Sequence, residues 1–324
     1  MTEQKPVVIP ALSVVIPVTE RHDDLTTLID EYHAVLSPVI GEIDYTVVFD
    51  GHYPKGRQQV EAAAAAGLPI KIFQLARSFG EANALSIGFE NSDAPVLMTL
   101  PAYRQVESED LAQLLASLDE QDMIIARRWP RQDSALNQWM TRTFHRLIKG
   151  ITRYDFRDLG CGVRLLKRRV AEEVHLYGDQ HRFLPMLAAN RGLAVEEKSI
   201  RQSTSESRVR VYAPVVYFRR FLDIVTVFFL TRFTKKPLRL FGIVGGSLFI
   251  LGGLILSLIV VQRLFFGVEL GDRPALVITT LMIVLGAQLF ALGLVGELVI
   301  FANAKADKEY AIAERINLPA DASE

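Results

Sequence analysis

Arginines recur where apolar runs end. Arg77 follows IKIFQLA, Arg104 follows VLMTLPAY, and Arg127, Arg128 and Arg131 follow MIIA. A guanidinium is a planar fork that bonds two phosphate oxygens at once, so these positions point to anion recognition. A solvated loop arginine is the plain alternative for each. Asp50 ends YTVVF just before Gly51, where its carboxylate can accept hydrogen bonds from a ligand or close an Asx-turn. Asp158 sits in the glycine-rich DLGCGVR, where Gly160 and Gly162 permit close approach of backbone to a ligand. The stretch VLMTLPAYRQVESEDL, residues 96–111, is different: Pro101, Ala102 and Tyr103 follow the apolar run, and no carboxylate comes before Glu107. Glu107, Glu109 and Asp110 surround Ser108 at a predicted helix start, where a cap and first-turn negative charges are expected for structural reasons.

These residues must be held by the elements around them. Short β-branched runs alternate with helical stretches: LSVVIP, DDLTTLIDEYHAVL, YTVVF, an alanine-rich helix, IKIFQL, EANALSIGF, VLMTL, EDLAQLLASL and MIIA. This order predicts an α/β fold with a Rossmann-like, mostly parallel sheet covered on both faces. In such sheets ligands bind beyond the carboxyl ends of the strands. That places Thr19, Glu20, Asp50, Arg77, Pro101 to Arg104, Arg127 and Arg128 at one crevice.

Two long apolar runs lie towards the end of the chain. Residues 240–261 contain no charge, and residues 275–301 contain only Glu297. At 1.5 Å per residue the first run reaches roughly 33 Å, enough for a bilayer's hydrocarbon core, so both are predicted to span a membrane. Arg208, Arg210, Arg219, Arg220, Arg232, Lys235, Lys236 and Arg239 precede the first span, whereas only Arg263 and Arg273 lie between the two. Both termini are therefore expected to be cytoplasmic. Gly245, Gly246, Gly252 and Gly253, paired a heptad apart, predict a close helix contact, within the chain or between protomers.

Ahead of the first span, Val211, Val215, Phe218, Leu222, Val225 and Phe229 form an apolar helical stripe flanked by basic residues, as in a helix lying in the headgroup plane. Arg208, at its start, is expected to meet a lipid phosphate there. A weaker stripe of Leu136, Met140, Phe144, Leu147 and Ile151 fits a second interfacial helix or one packed on the core. The expected division is 1–207 for the sheet domain, 208–236 for the interfacial region, 237–302 for the spans and 303–324 for a cytoplasmic tail.

Composition narrows the function classes. Formal net charge over 324 residues is −1, so the overall balance suggests no nucleic-acid partner. The single cysteine, Cys161, can form neither an internal disulfide nor a zinc site, and reads as a packing residue. MTEQKPVVIPALSVVIP lacks a basic start followed by a long apolar run and a small-residue cleavage site, so no signal peptide is expected.

In this order, and ahead of two spans, several motifs resemble the membrane-anchored family-2 glycosyltransferases that move a sugar from a nucleotide to a polyprenyl phosphate, of the undecaprenyl- and dolichol-phosphate type. SVVIPVTE is similar to their opening strand and nucleotide loop, and VVFDG to their Asp-Asp-Gly-Ser step. ARSFGEANALSIGFENS resembles their Arg-x-Phe-Gly helix start. DLGCGVRLLKRRV and HRFLPML resemble their acceptor-side motifs, SESR at 205–208 their Ser-Lys/Arg element, and Gly296-Glu297-Leu298 the Gly-Glu near the end of the last span.

The resemblance implies a GT-A-like domain and an inverting hexosyl transfer. Its partners would be a UDP- or GDP-linked sugar, a polyprenyl phosphate and membrane lipids, with a homo-oligomer as a family habit. It implies donor contacts at Pro17, Glu20, Asp50, Arg77, Tyr103, Arg127 and Arg128, with Asp50 facing base or ribose. Acceptor phosphate contacts are implied at Arg164, Arg182, Ser207 and Arg208, with ion pairing to acids as the alternative for these arginines. A catalytic part is implied for Asp158. Magnesium or manganese is usual in the family, held by Asp-x-Asp, but those positions are Pro101 and Tyr103, which offer a hard cation no carboxylate. Phe49-Asp50 in place of Asp-Asp and Thr19-Glu20-Arg21 in place of Asn-Glu are further departures. With the metal site degenerate, Arg104 is expected to take over part of the metal's work. Two functional readings follow: a glycosyltransferase building a polyprenyl-phosphate sugar for the cell envelope, and a non-catalytic relative that keeps fold, lipid contacts and anchor. A processive synthase fits poorly, because Ile125 stands where Gln-x-x-Arg-Trp would need glutamine.

Overall fold

A computed structural model describes residues 9–130, 156–174, 176, 180–206, 237–267 and 274–303. Arg131, the 136–151 stripe, Ser207, Arg208, the 211–229 helix, the basic residues between 210 and 236, and the tail from 304 lie outside the described residues. Those that are described form two compact units, 9–206 and 237–303.

In the first unit the strands are β1 (Ala11–Val18), β2 (Glu42–Phe49), β3 (Ile70–Gln74), β4 (Val96–Thr99), β5 (Met123–Arg128), β6 (Arg164–Lys167) and β7 (Val195–Ile200). They form one seven-stranded sheet in the order β3-β2-β1-β4-β6-β5-β7. All neighbours are parallel except β6, which runs against both β4 and β5. The sheet is mostly parallel, as expected, with one antiparallel strand, and β6 and β7 add to the strands read from the sequence. The antiparallel strand leaves β1 to β5 ending on one edge and brings its own first residue, Arg164, to that edge opposite Thr99.

The helices of this unit are α1 (Leu25–Leu36), α2 (Pro54–Ala65), α3 (Glu81–Glu90), α4 (Leu111–Leu115), α5 (Arg168–Glu173) and α6 (Leu184–Asn190). Strand β1 shows why the sheet is covered twice. Val14 and Ile16 join the core beneath α1 with Leu25, Leu28 and Ile29, while Val15 joins Leu85, Phe89 and Leu97 on the other face, the two-residue alternation of a strand. Asp24 caps α1 by accepting the Thr27 N–H at 3.0 Å. A Cβ at Gly88 would lie 2.2 Å from Val15 Cγ1, so only glycine lets α3 approach the sheet this closely. β7 closes an edge of the sheet with Glu196, Glu197 and Lys198, charges that discourage further strand pairing.

The second unit is a pair of helices, α7 (Pro237–Phe266) and α8 (Pro274–Asn303). Stretches of 29 and 27 residues, with mean hydropathy 2.5 and 2.3, are long and apolar enough to cross a membrane. The glycine contact lies within the chain. Gly245 faces Gly286, where added Cβ atoms would meet backbone at 2.6 Å on either side, and Gly252 meets Thr279, Met282 and Ile283. Gly246 and Gly253 have nothing within 4 Å, because adjacent helix residues are about 100° apart. Glu297 accepts the Leu238 N–H at 3.4 Å, placing α8's one acid at the N-terminus of α7.

Candidate functional site

At the common strand edge Asp50 is buried and already engaged. Its carboxylate accepts Ser78 Oγ–H at 2.7 Å and the backbone N–H groups of Phe79 at 2.6 Å and Gly80 at 3.0 Å. These bonds shape the loop that enters α3, through partners distant in sequence where the alternative to a ligand contact was a local Asx-turn. Gly51 and Gly80, at φ 119° and 96°, take backbone conformations that L side chains rarely adopt. Pro17 is buried inside β1, Glu20 is exposed beyond it, and Arg77 is exposed with its guanidinium 4.9 Å from the centre of the Phe79 ring. Arg127 lies similarly over Trp129, at 4.8 Å.

The second part of the site is a buried ion-paired cluster. Arg128 bonds Asp158 through Nε and Nη2, both at 2.7 Å, and Glu206 through Nη1 at 2.6 Å. Asp158 and Glu206 side chains are 2% and 9% exposed, so the arginine is neutralised out of water. Glu197 accepts the N–H groups of Arg157 and Asp158 at 2.8 Å each, which fixes the turn carrying Asp158. Asp158, among the acids with which the acceptor arginines could be expected to pair, pairs with Arg128 instead. Cys161 is buried beside it, and burial pushes its thiol up to about 12, as fits a packing residue.

Gln105 ties this turn to the Pro101–Tyr103 loop. It donates to the Tyr103 hydroxyl at 2.9 Å and accepts the Gly162 N–H at 2.7 Å. Over the Tyr103 ring, 3.7 Å from its centre, lies the Arg21 guanidinium. Neither Gln105 nor Arg21 was singled out for a role from sequence, and Glu206 was passed over inside the SESR motif. Only that motif carried a signal, because Gln105 and Arg21 gain meaning from residues distant in the chain.

Arg104 corrects an expectation. It bonds Glu31 on α1 through Nε at 2.7 Å and Nη2 at 2.5 Å, and Asp23 lies 3.9 Å from Nη1. Its charge is compensated by these acids, so it is not positioned to stand in for a metal. Nor do the later acids stand by the loop as metal ligands. Glu107 accepts the Thr204 N–H, and Glu109 and Asp110 hold Arg201. Among the described residues no group of three or more His, Cys, Asp or Glu could hold a metal ion. The donor set of this loop does not fit a divalent cation.

Arg164 makes a third cluster. It is 2% exposed, and its Nη1 is buried without a hydrogen-bond partner. Burial lowers its pKa, with Glu81, Arg182 and Asp158 as charged neighbours. His181 is close by, its Nε2 3.4 Å from Glu81 and its Nδ1 also without a partner. Burial, Arg164 and Arg182 together push the imidazole from 6.5 down to about 3, outweighing the Glu81 contact.

A pH effect follows. Below pH 6.5 the unfolded chain protonates His181 while the folded chain resists. Stability is complete above that pH and falls by about 1.4 kcal/mol per unit beneath it, or about 2 kcal/mol by pH 5. Urea unfolding at pH 7.5 and 5 should show this loss, and His181→Asn should remove most of it. The depressed carboxylates of Glu31 and Asp110 titrate below this window, whereas burial raises Glu197 and Glu206, whose proton uptake in the folded chain offsets part of the histidine's loss.

Comparison with known proteins adds to the geometry. Residues 13–174 match the family model described as glycosyl transferase family 2. The undecaprenyl-phosphate 4-deoxy-4-formamido-L-arabinose transferase of Shewanella sediminis is 28% identical over 310 residues, covering 94% of this chain and 92% of that protein. The protein of the same name from Pseudomonas fluorescens strain SBW25 is 30% identical over 297 residues, covering 90% and 85%. Mycobacterium tuberculosis glucosyl-3-phosphoglycerate synthase has a TM-score of 0.50 at 12% identity, over 69% of this chain and 79% of its own. Mannosyl-3-phosphoglycerate synthase from Rubrobacter xylanophilus has a TM-score of 0.50 at 15% identity, over 69% and 74%. These structures share the GT-A-like fold.

Proposed function

The chain belongs to glycosyl transferase family 2, and on that premise we propose that it transfers a sugar from a UDP- or GDP-linked donor to a polyprenyl phosphate at the cytoplasmic face of a membrane. The observation that carries the acceptor is Arg164. A buried guanidinium with a partnerless N–H is costly unless an anion completes it, and it lies on the strand edge where ligands bind. The undecaprenyl-phosphate transferases above match nine-tenths or more of the chain. The non-catalytic alternative has no observation in its favour.

A phosphate monoester has a second pKa of about 6, so near neutral pH it attacks the anomeric carbon without a protein base. The new carbon–oxygen bond forms on the acceptor phosphate as the bond to the nucleoside diphosphate breaks, inverting the centre. Arg164, Arg182, Ser207 and Arg208 hold the acceptor. Pro17, Glu20, Asp50, Arg77, Tyr103 and Arg127 frame the donor, while Arg128 and Asp158 act as one positioning pair. The domain division given above, cytoplasmic termini and a homo-oligomer complete the reading.

Lipids extracted from cells overproducing the chain test it by mass spectrometry. A new polyprenyl-phosphate sugar, missing from cells producing Arg164→Met, is expected. Lipid profiles unchanged by the wild-type chain would overturn the proposal.

A further inference from the structure

The donor leaves as a nucleoside diphosphate, and its growing negative charge needs a positive partner fixed in advance. The Pro101–Tyr103 loop holds no carboxylate for a divalent ion, and two nearby arginines are already matched by acids: Arg104 by Glu31 and Asp23, Arg128 by Asp158 and Glu206. Three others are held differently. Among the described residues the guanidinium groups of Arg21, Arg77 and Arg127 make no hydrogen bond or ion pair, and each lies over an aromatic ring.

Arg21 is the best placed of the three. Its contact with Tyr103 is the shortest, 3.7 Å against 4.9 and 4.8 Å, and it is half-buried where Arg77 is exposed. The ring beneath it is fixed. Gln105 donates to the Tyr103 hydroxyl and is itself held by the Gly162 N–H. Burial raises the phenol to about 12, so the ring remains a neutral platform. A ring attracts the cation through its face without neutralising it, which leaves the in-plane N–H fork open to paired phosphate oxygens. A carboxylate in place of Tyr103 would have matched the charge and occupied that fork.

We propose that Arg21, seated on Tyr103, is the fixed cation that binds the donor diphosphate at the loop where the family's metal ligands are missing. This rests on the transferase reading and deepens it. Tyr103 is a positioning residue in this scheme, acting through Arg21 by the height and orientation of its ring. Arg21 is a single charge, and Arg77 and Arg127, near the ends of β3 and β5, are further arginines on this edge that lie over rings.

Calorimetric titration of UDP and GDP into the full-length, detergent-solubilised chain, in excess chelator and separately with manganese, tests the assignment. Wild-type binding in chelator is expected. Losing a charge-assisted bond pair should weaken it by about 30-fold in Arg21→Ala and Arg21→Gln. Tyr103→Phe, which keeps the ring but loses its tether to Gln105, should weaken binding less than Tyr103→Leu, which should resemble Arg21→Ala. Arg57→Ala, which removes a surface arginine paired with Glu61, should change nothing. Thermal unfolding checks that each variant is folded. Wild-type binding only with manganese, or undiminished binding by folded Arg21→Ala in chelator, would overturn the inference while leaving the transferase intact. No binding of either nucleotide with or without metal overturns the donor assignment and this inference together.

Discussion

Asp158→Asn is expected to destabilise the sheet domain by about 3 kcal/mol or more, because removing one partner of a buried ion pair leaves the other charge without compensation. Both side chains are inside, 8% exposed for Arg128 and 2% for Asp158, and Asp158 also accepts the Arg128 backbone N–H at 3.1 Å. Glu206 still holds Nη1 in the variant, which limits the loss. For a domain of this size, the melting temperature should fall by roughly 6–12 °C. The triple variant Arg128→Leu/Asp158→Leu/Glu206→Leu should lose less than the sum of the single changes, since no unpaired charge of the cluster remains. Activity should fall along with stability, because the pair fixes the Gly160 turn and, through Gln105, the Tyr103 loop. Lost activity with an unchanged melting temperature would instead make the Asp158 carboxylate a group acting on substrate.

Arg164→Met should move stability and binding in opposite directions. The native guanidinium is fully buried with one N–H unsatisfied, and Arg182 adds like charge nearby. An apolar side chain of similar length avoids that desolvation, so the free protein should be unchanged or more stable by about 1–2 kcal/mol. Affinity for undecaprenyl phosphate should drop by about 100-fold, the value of a lost charge-assisted contact in a desolvated site. Thermal unfolding and lipid-phosphate binding in the same detergent measure the two effects. A large loss of stability with binding intact would show that Arg164 is a structural residue whose partner lies outside the described chain. His181 should respond as well. With the neighbouring cation gone, its imidazole protonates more readily and the loss of stability between pH 6.5 and 5 becomes shallower.

The elements were legible because burial leaves a local imprint. Strands β1 to β5 and the helices between them are visible as alternating and helical spacings, and the membrane-length helices as runs without charge. β6 and β7 were not. RLLK is four residues long and begins with an arginine, while VEEKSI is half charged, so neither shows the apolar pattern that marks a covered strand. The glycine pairs of α7 predicted a tight contact but not its division. Gly245 and Gly252 face α8, whereas Gly246 and Gly253 point elsewhere, and only the partner helix makes that distinction.

By itself, the sequence determined an α/β sheet domain with its ligand edge, two apolar spans, the family and a loop without metal-binding carboxylates. Each is written in neighbouring residues, through periodicity, hydropathy or a short motif. Which arginines remain available was decided by the tertiary structure alone. Arg104, beside the altered loop in sequence, is neutralised by Glu31 of α1, and Arg128 is closed off by Asp158 and Glu206. Arg21 is left on a ring with its N–H groups open, and Arg164 is buried short of a partner. A cation's usefulness depends on the charges within a few ångströms and on its distance from water, and those neighbours come from segments that only folding brings together.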